Sequence, residues 1–219
     1  VTASKLTTVL GDGVRLAGAL TVTNVSDKAA ALTAYTGSTT HADIVTLQTA
    51  SSVSNEWSVA ETALNSALGD GVRLIGDLTV TAIATETDAS TTYSTSNTGA
   101  TNVLLTAADG NWSVATGALG TDLGNNIKYA GALTITGITG NTNETNALTD
   151  YTTAKTGATT NTLTASDTNW SIAASTLTTA LGSGVRLTGD LTVTDVSSEA
   201  AALTAYTDSN TGADTITLN

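Results

Sequence analysis

The sequence predicts an α/β repeat protein, a strand-helix solenoid with a parallel sheet and about two coils in each repeat. Three observations support this: a motif that returns four times, apolar residues that alternate with Thr, and apolar residues at helical spacing after each Trp. The motif begins Leu-Gly-Asp-Gly-Val-Arg-Leu in its first copy. Its copies start at Leu10, Leu68, Leu123 and Leu181, which are 58, 55 and 58 residues apart.

The repeats also define the predicted domain organisation. We expect one elongated array of four units over residues 1–219, because each repeat can bury its apolar face only against its neighbours. The approximate bounds of the units are 1–56, 57–111, 112–169 and 170–219.

Alternation predicts the first strand of each unit. Val72, Leu74, Leu78 and Val80 are apolar, and polar residues stand between them. Period two is typical of a strand with one buried face, and Gly76 inside the run indicates a bend or bulge. The expected core positions across the four units are Leu20, Val22, Leu78, Val80, Leu133, Ile135, Leu191 and Val193.

Two helices are predicted in each unit. A short helix should follow Ser198, because an Ala-rich run begins there and Leu203 and Tyr206 share one face. A Thr-Gly-Ala loop and a second short strand come next. A longer helix should start at each Trp and end at a Leu-Gly pair, with Asn55 as one N-cap. The three longer segments are 57–68, 112–123 and 170–181.

Two other architectures remain open at this point. An all-β Ig-like or β-helical array would suit the Thr-rich alternation but not the helical spacing after each Trp. Eight strand-helix pairs could also close into a (β/α)₈ ring, although the first helix of each unit is too short and variable to wall such a barrel.

Composition excludes several classes of function. The net charge is −12 and the pI is about 4.1, so the chain repels nucleic acid and anionic membranes. No apolar run in the sequence reaches the length of a membrane span, about 18 residues. The absence of Cys excludes disulfides and thiol catalysis. Nucleic acid and membrane insertion are therefore not predicted.

No reaction is predicted either. The single His, His41, lies in a polar loop, and nothing marks a Ser as its partner in a triad. Asp12 and Asp70 lie in Gly-Asp-Gly turns, where Asp is a common turn residue. Neither an EF-hand nor a calcium-binding nonapeptide spacing is present. We predict a non-enzyme without cofactor or metal, and leave open only weak Ca²⁺ binding by clustered loop acids.

A basic residue returns at one position of every unit. Stacking would align these residues in a ladder, and Asp77 and Asp190 follow two of them at four residues' distance. We interpret the ladder as surface ion pairs with packing of the side-chain stems; the alternative is recognition of an anion or glycan. The basic residues are Arg15, Arg73, Lys128 and Arg186.

Pairs of Thr stand on the strand face opposite the Leu and Val core positions. In a stacked array they would form two files of hydroxyl and methyl groups, which resemble the ice-binding faces of some β-helical antifreeze proteins. High strand propensity on an exposed sheet face is the simpler interpretation. The candidate binding face consists of Thr21, Thr23, Thr79, Thr81, Thr134, Thr136, Thr192 and Thr194.

The whole chain resembles the repeat regions of large secreted or surface-anchored bacterial proteins, including adhesins and surface-layer proteins. The resemblance rests on its Thr, Ala, Gly and Asp content, the absence of Cys, and the phrase Leu-Thr-Val-Thr-Asp-Val-Ser from Leu191. It implies an extracellular or cell-surface location and a structural role in a stalk, filament or surface layer. The alternative is a binding module that uses the Thr face for ice, glycan or calcium-dependent adhesion.

The expected partners are further copies of the same unit. The chain begins and ends near the same point of the repeat, so one copy could continue the coil of another in an open head-to-tail contact. The expected self-assembly ends are Leu6, Val9 and Leu10 on one side and Ile216 and Leu218 on the other.

Overall fold

The computed structural model describes residues 1–10, 14–50, 56–86, 88–123, 126–182 and 184–219. Helices alternate with parallel strands, so the protein has an α/β fold and the all-β alternative is wrong. The strands are β1 (Ala19–Val25), β2 (Ile44–Thr49), β3 (Glu56–Ala60), β4 (Val72–Leu74), β5 (Asp77–Ile83), β6 (Asn102–Ala115), β7 (Ile127–Ile138), β8 (Thr160–Ala173), β9 (Val185–Thr194) and β10 (Thr215–Leu218). The helices are α1 (Ala3–Val9), α2 (Lys28–Ala34), α3 (Gly37–Thr40), α4 (Glu61–Gly69), α5 (Ala89–Thr92), α6 (Thr95–Thr98), α7 (Thr116–Asp122), α8 (Asn141–Asp150), α9 (Thr153–Thr156), α10 (Ala174–Ala180), α11 (Glu199–Ala205) and α12 (Asp208–Thr211).

The strands are parallel, as the sequence predicts, but they form two sheets and not the one sheet expected. One has the order β1-β2-β4, and the other has seven strands in the order β10-β9-β8-β7-β6-β5-β3. In the described part of the chain β10 and β3 are the edges of the larger sheet, so the strands do not close into a barrel. The closed-ring alternative is therefore wrong.

The chain divides into two compact units, which are larger than the repeats. The first unit consists of residues 1–108 with 124–127, and the second unit consists of residues 109–123 with 128–219. In the first unit β2 pairs with β1 and β4, and β5 pairs with β3 and β6. In the second unit β9 pairs with β8 and β10, and β8 also pairs with β7.

The predicted core positions are buried. Because Leu, Val or Ile alternates with Thr, one face of each strand is apolar, and that face carries the core. The helices add Leu64, Leu119 and Leu177, whose exposed fraction is 0%. The eight predicted strand positions, all 8% exposed or less, are Leu20, Val22, Leu78, Val80, Leu133, Ile135, Leu191 and Val193.

The starts of the three longer helices are predicted wrongly. Trp57 lies in β3, and α4 begins only at Glu61. Trp112 and Trp170 likewise lie at the ends of β6 and β8, ahead of α7 and α10. The Trp-Ser-Val-Ala run alternates with period two and pairs with the next strand, where Trp57 lies beside Leu78. That pairing prevails over the helical spacing. Asn55, the expected N-cap, lies outside the described residues.

The first strands of three repeats, β1, β5 and β7, each end in a bulge. The register with the neighbouring strand shifts after Val22, Val80 and Ile135. At the bulge one residue takes a left-handed backbone, which a non-glycine residue adopts only at some energetic cost. These residues are Asn24 (φ 58°), Ala82 (φ 57°) and Gly137 (φ 76°); Asp195, which directly follows β9, is also left-handed (φ 59°). The bend predicted at Gly76 is also present, with φ 114°.

Candidate functional site

The Thr face continues sideways onto a basic residue. Thr21 lies beside Thr46, and Thr46 lies beside Arg73 on the next parallel strand. Partners in a parallel register point to the same face, so the row reads Thr, Thr, Arg. The equivalent row in the second unit is Thr134, Thr162 and Arg186.

Two further rows differ in their neighbours. Thr79 lies between Ser58 and Leu104, so a large apolar side chain interrupts the hydroxyl row of the first unit. Thr81 lies beside Ala60. Of the eight candidate Thr residues, Thr21 is exposed and the other seven are half-buried. The seven are Thr23, Thr79, Thr81, Thr134, Thr136, Thr192 and Thr194. The face offers hydroxyls and methyls in short rows bounded by cations or Leu.

The basic residues lie against the glycines of the Thr-Gly-Ala loops. A Cβ on Gly99 would stand 3.0 Å from the Cβ of Arg73, and one on Gly212 would stand 3.0 Å from the Cβ of Arg186. These glycines are also left-handed, with φ 77° and 79°. The bases of the Arg73 and Arg186 side chains therefore pack against these loop glycines. Lys128 occupies the same place beside Gly157 and donates from Nζ to the Lys155 carbonyl oxygen.

The predicted ion-pair ladder is not formed by the residues that the structure describes. An ion pair outside the predicted ladder joins Lys155 and Asp150, both exposed, at 3.4 Å. Asp77 instead accepts a hydrogen bond from Asn102 Nδ2 at 2.8 Å. Arg73 donates from Nη1 to the Val72 carbonyl at 2.9 Å. Hydrogen bonding to neutral groups replaces charge pairing.

Each Trp is anchored by one hydrogen bond that the sequence did not reveal. The indole Nε1 donates to the carbonyl of the residue 18 positions further on, which lies in the neighbouring strand for Trp112 and Trp170 and between β4 and β5 for Trp57. The Trp rings are 1% exposed, so this bond satisfies the only polar atom of the indole. The three bonds are Trp57 to Ile75 at 3.1 Å, Trp112 to Ala130 at 3.0 Å, and Trp170 to Thr188 at 3.1 Å.

The repeated Tyr position ties the short helix to the longer one. Tyr35 and Tyr206 each donate to a carbonyl 32 residues earlier, of Ala3 and Ala174, both at 3.1 Å. The Tyr93 hydroxyl instead lies 2.8 Å from Asn65 Oδ1 and 3.1 Å from Glu61 Oε1, and either oxygen can accept its proton. Burial, and next the negative charge of Glu61, raise the pKa of the Tyr93 hydroxyl.

The last strand, β10, and helix α11 form an open apolar edge. Ile216 and Leu218 in β10 are half-buried, whereas Val45 and Leu47, at the same repeat positions in β2, are 0% exposed. β10 pairs with β9 on one side, and no described strand pairs with it on the other.

Beside this edge Leu203 is 70% exposed. At the same repeat position Leu32 is 2% and Leu148 is 0% exposed. Leu203 lines a groove of about 340 Å³, together with Val196 and Leu218 among others. We call the surface formed by Leu203, Ile216 and Leu218 the β10 edge.

Apolar side chains of the first copy of the repeat motif are also partly exposed. Val14 is 37% exposed, whereas Val72 and Val185 at the same repeat position are 0% and 2% exposed. Leu16 and Leu10 are half-buried. Leu6, which is predicted to lie in the self-assembly contact, is only 3% exposed. It is therefore already covered by its own chain. The side chain of Val9 lies outside the description.

The remaining polar residues considered in the sequence are His41, Asp70 and Asp12. His41 is exposed and left-handed (φ 61°), at the position that Gly occupies in the other three copies. Asp70 accepts from Ser38 Oγ at 3.4 Å. Asp12 lies outside the described residues. Across the described ranges no three His, Cys, Asp or Glu side chains gather in a way that could hold a metal ion.

Glu144 is a buried carboxylate that sequence reasoning missed. It is 3% exposed, and its Oε2 accepts the backbone N–H of Ser171 at 2.9 Å, linking α8 to β8. Burial raises the pKa of Glu144, the charge of Asp167 adds to this, and the bond from Ser171 opposes it.

Comparison with protein-family models, with curated proteins and with solved structures found no match. In the described part of the chain no helix is long and apolar enough to cross a membrane.

Proposed function

We propose that the protein is a structural repeat segment of an extracellular or cell-surface bacterial protein, acting as a stalk, filament or surface-layer building block. In this proposal the four repeats form a strand-helix solenoid, and copies join head to tail. Its chemistry is packing and backbone pairing, without catalysis.

The carrying observation is the recurrence of the same anchoring contacts at the same spacing. The Trp bond spans 18 residues at Trp57, Trp112 and Trp170. The Tyr bond spans 32 residues at Tyr35 and Tyr206. Contacts that repeat with the sequence are expected of an array in which each unit meets its neighbours in one way.

The binding-module alternative has less support. A flat ice-binding face needs uninterrupted hydroxyl files, and Arg73, Arg186 and Leu104 lie in the rows instead. Glycan binding on the Thr face or calcium-dependent adhesion would be detected by titration calorimetry with oligosaccharides or Ca²⁺. Binding there, lost when Thr46 and Thr162 are changed to Val, would favour this alternative.

Small-angle scattering of the 219-residue chain at low concentration tests the array. A compact single domain of this length has a radius of gyration of roughly 17 Å, and the solenoid should exceed it clearly. As a second measurement, an in-frame deletion of residues 112–169, one whole repeat, should stay folded with a shorter maximum dimension. A radius near 17 Å for the full chain would contradict the proposal.

A further inference from the structure

We infer that the β10 edge is a docking site for a second copy of this chain, which adds its residues 14–16 as the next parallel strand. The same copy covers Leu203 with its helix α1. The inference rests on the proposed function, and it specifies the surface, the partner and the register of the head-to-tail contact.

Internal strands show what belongs at this edge. β2, the equivalent of β10 in the first unit, is covered by β4, with Val45 beside Val72 and Leu47 beside Leu74. In the second unit β8 is covered by the start of β9 in the same register, including Leu163 beside Leu187. In both places the covering strand is the apolar-Arg-Leu segment of the repeat motif.

The docked register follows from these pairs. Ile216 should lie beside Val14 of the second copy, and Leu218 beside Leu16 of the second copy. Thr217 then meets Arg15, as Thr46 meets Arg73 and Thr162 meets Arg186 within the chain. This is strand addition to a free sheet edge, in which backbone bonds give affinity and alternate side chains give specificity.

The exposure of β10 and of residues 14–16 is consistent with a neighbouring strand that each would gain from a second copy. Ile216 and Leu218 are half-buried, and Val14 is 37% exposed, although their internal equivalents are covered. Among the described residues, no strand of the β10 type lies beside Val14 and Leu16, and no strand of the 14–16 type lies beside β10. The two surfaces therefore complement each other in sequence and in backbone.

Leu203 supplies the second part of the surface. Its equivalent Leu32 lies on α2, which packs against α4 and β3. Leu148 lies on α8, which packs against α10. α1 matches α4 and α10, since Leu6, Leu64 and Leu177 each lie four residues before the start of a repeat motif. A second copy that pairs through residues 14–16 thus brings the right helix to Leu203.

The test is sedimentation velocity on the full chain at rising concentration and at two salt concentrations. The wild type should form dimers and longer species. Salt should strengthen association, because each copy carries a net charge of −12 and like charges are screened. A monodisperse monomer up to about 1 mM, the range of weak binding, would overturn the inference.

Two variants locate the contact. Leu203→Glu and Val14→Asp each place a carboxylate on one predicted surface, at a residue already exposed in the single chain. Each should weaken self-association by at least about tenfold. Thr204→Glu adds the same charge on the same helix, outside the groove, and should associate like the wild type. Unchanged association of Leu203→Glu would overturn the assigned surface.

Mixing the two variants distinguishes this contact from a two-fold one. The Val14→Asp chain keeps an intact β10 edge, and the Leu203→Glu chain keeps an intact 14–16 segment. Together they should form a one-to-one dimer that does not grow further, which a two-fold contact through either surface alone would not give. An elongated chain that stays monomeric would refute only the docking, whereas a compact chain would refute the array as well.

Discussion

Gly189 packs against the carbonyl oxygen of Thr168 so closely that a Cβ at Gly189 would overlap it. Its φ is 103°, a left-handed value as well. Gly131 meets the carbonyl oxygen of Gly110 in the same way, with φ 101°. In the second unit, therefore, the glycine inside the long strand is required by a close backbone approach.

Gly189→Ala should destabilise the protein by about 3 kcal/mol, because backbone strain and the clash with Thr168 add together. Gly110→Ala is the matched control, since Gly110 is left-handed (φ 78°) but a Cβ added to it would meet no atom within 4 Å. It should lose about 1 kcal/mol. Urea unfolding measures both, and equal losses would contradict the close approach.

Trp170→Phe should lower the free energy of unfolding by about 1–3 kcal/mol, because the part-buried hydrogen bond from the indole to the Thr188 carbonyl is lost. Trp57→Phe removes the matching bond to Ile75 in the first unit and should lose a similar amount. Thermal unfolding followed by circular dichroism compares the two. Variants as stable as the wild type would show that ring packing alone anchors the Trp.

Asn161→Val should raise the free energy of unfolding by about 1–3 kcal/mol. Asn161 is 0% exposed, and its Nδ2 has no hydrogen-bond partner among the residues that the structure describes. Its Oδ1 accepts from Thr156 at 2.9 Å. In the other copies the equivalent Thr donates to the carbonyl four residues earlier, as Thr98 does to Ser94, so Thr156 has the Thr152 carbonyl available. Asn161→Asp buries a charge and should destabilise the protein. Urea unfolding measures both variants.

Glu144→Gln should stabilise the protein at pH 7 and leave it nearly unchanged in acid. Burial raises the folded-state pKa of Glu144, so the protonated form favours folding. Its stabilising effect is complete below the ordinary Glu pKa of 4.5 and is lost as pH rises through the raised value. The Gln oxygen can still accept from Ser171. Unfolding at several pH values measures this, with Glu199→Gln as the control for net charge; a Gln variant less stable at pH 7 would contradict it.

The local pattern of the sequence predicts much of the fold. Alternation of Leu and Val with Thr places Leu78 and Val80 in the core, because a strand has only two faces and one is apolar. The Thr-Gly-Ala sequence identifies Gly99 as a loop residue. It does not predict that Gly99 packs against Arg73. That contact depends on which strand the loop crosses.

Other features depend on what packs alongside. The run after Trp57 fits both a helix and a strand by spacing, and pairing with Leu78 decides for the strand. Glu144 and Ser171, 27 residues apart, meet only because α8 packs on β8. Leu32 and Leu203 stand in the same seven-residue sequence, Ala-Ala-Ala-Leu-Thr-Ala-Tyr. The first is 2% and the second 70% exposed, because burial is set by the neighbouring helix and not by the residues around the Leu.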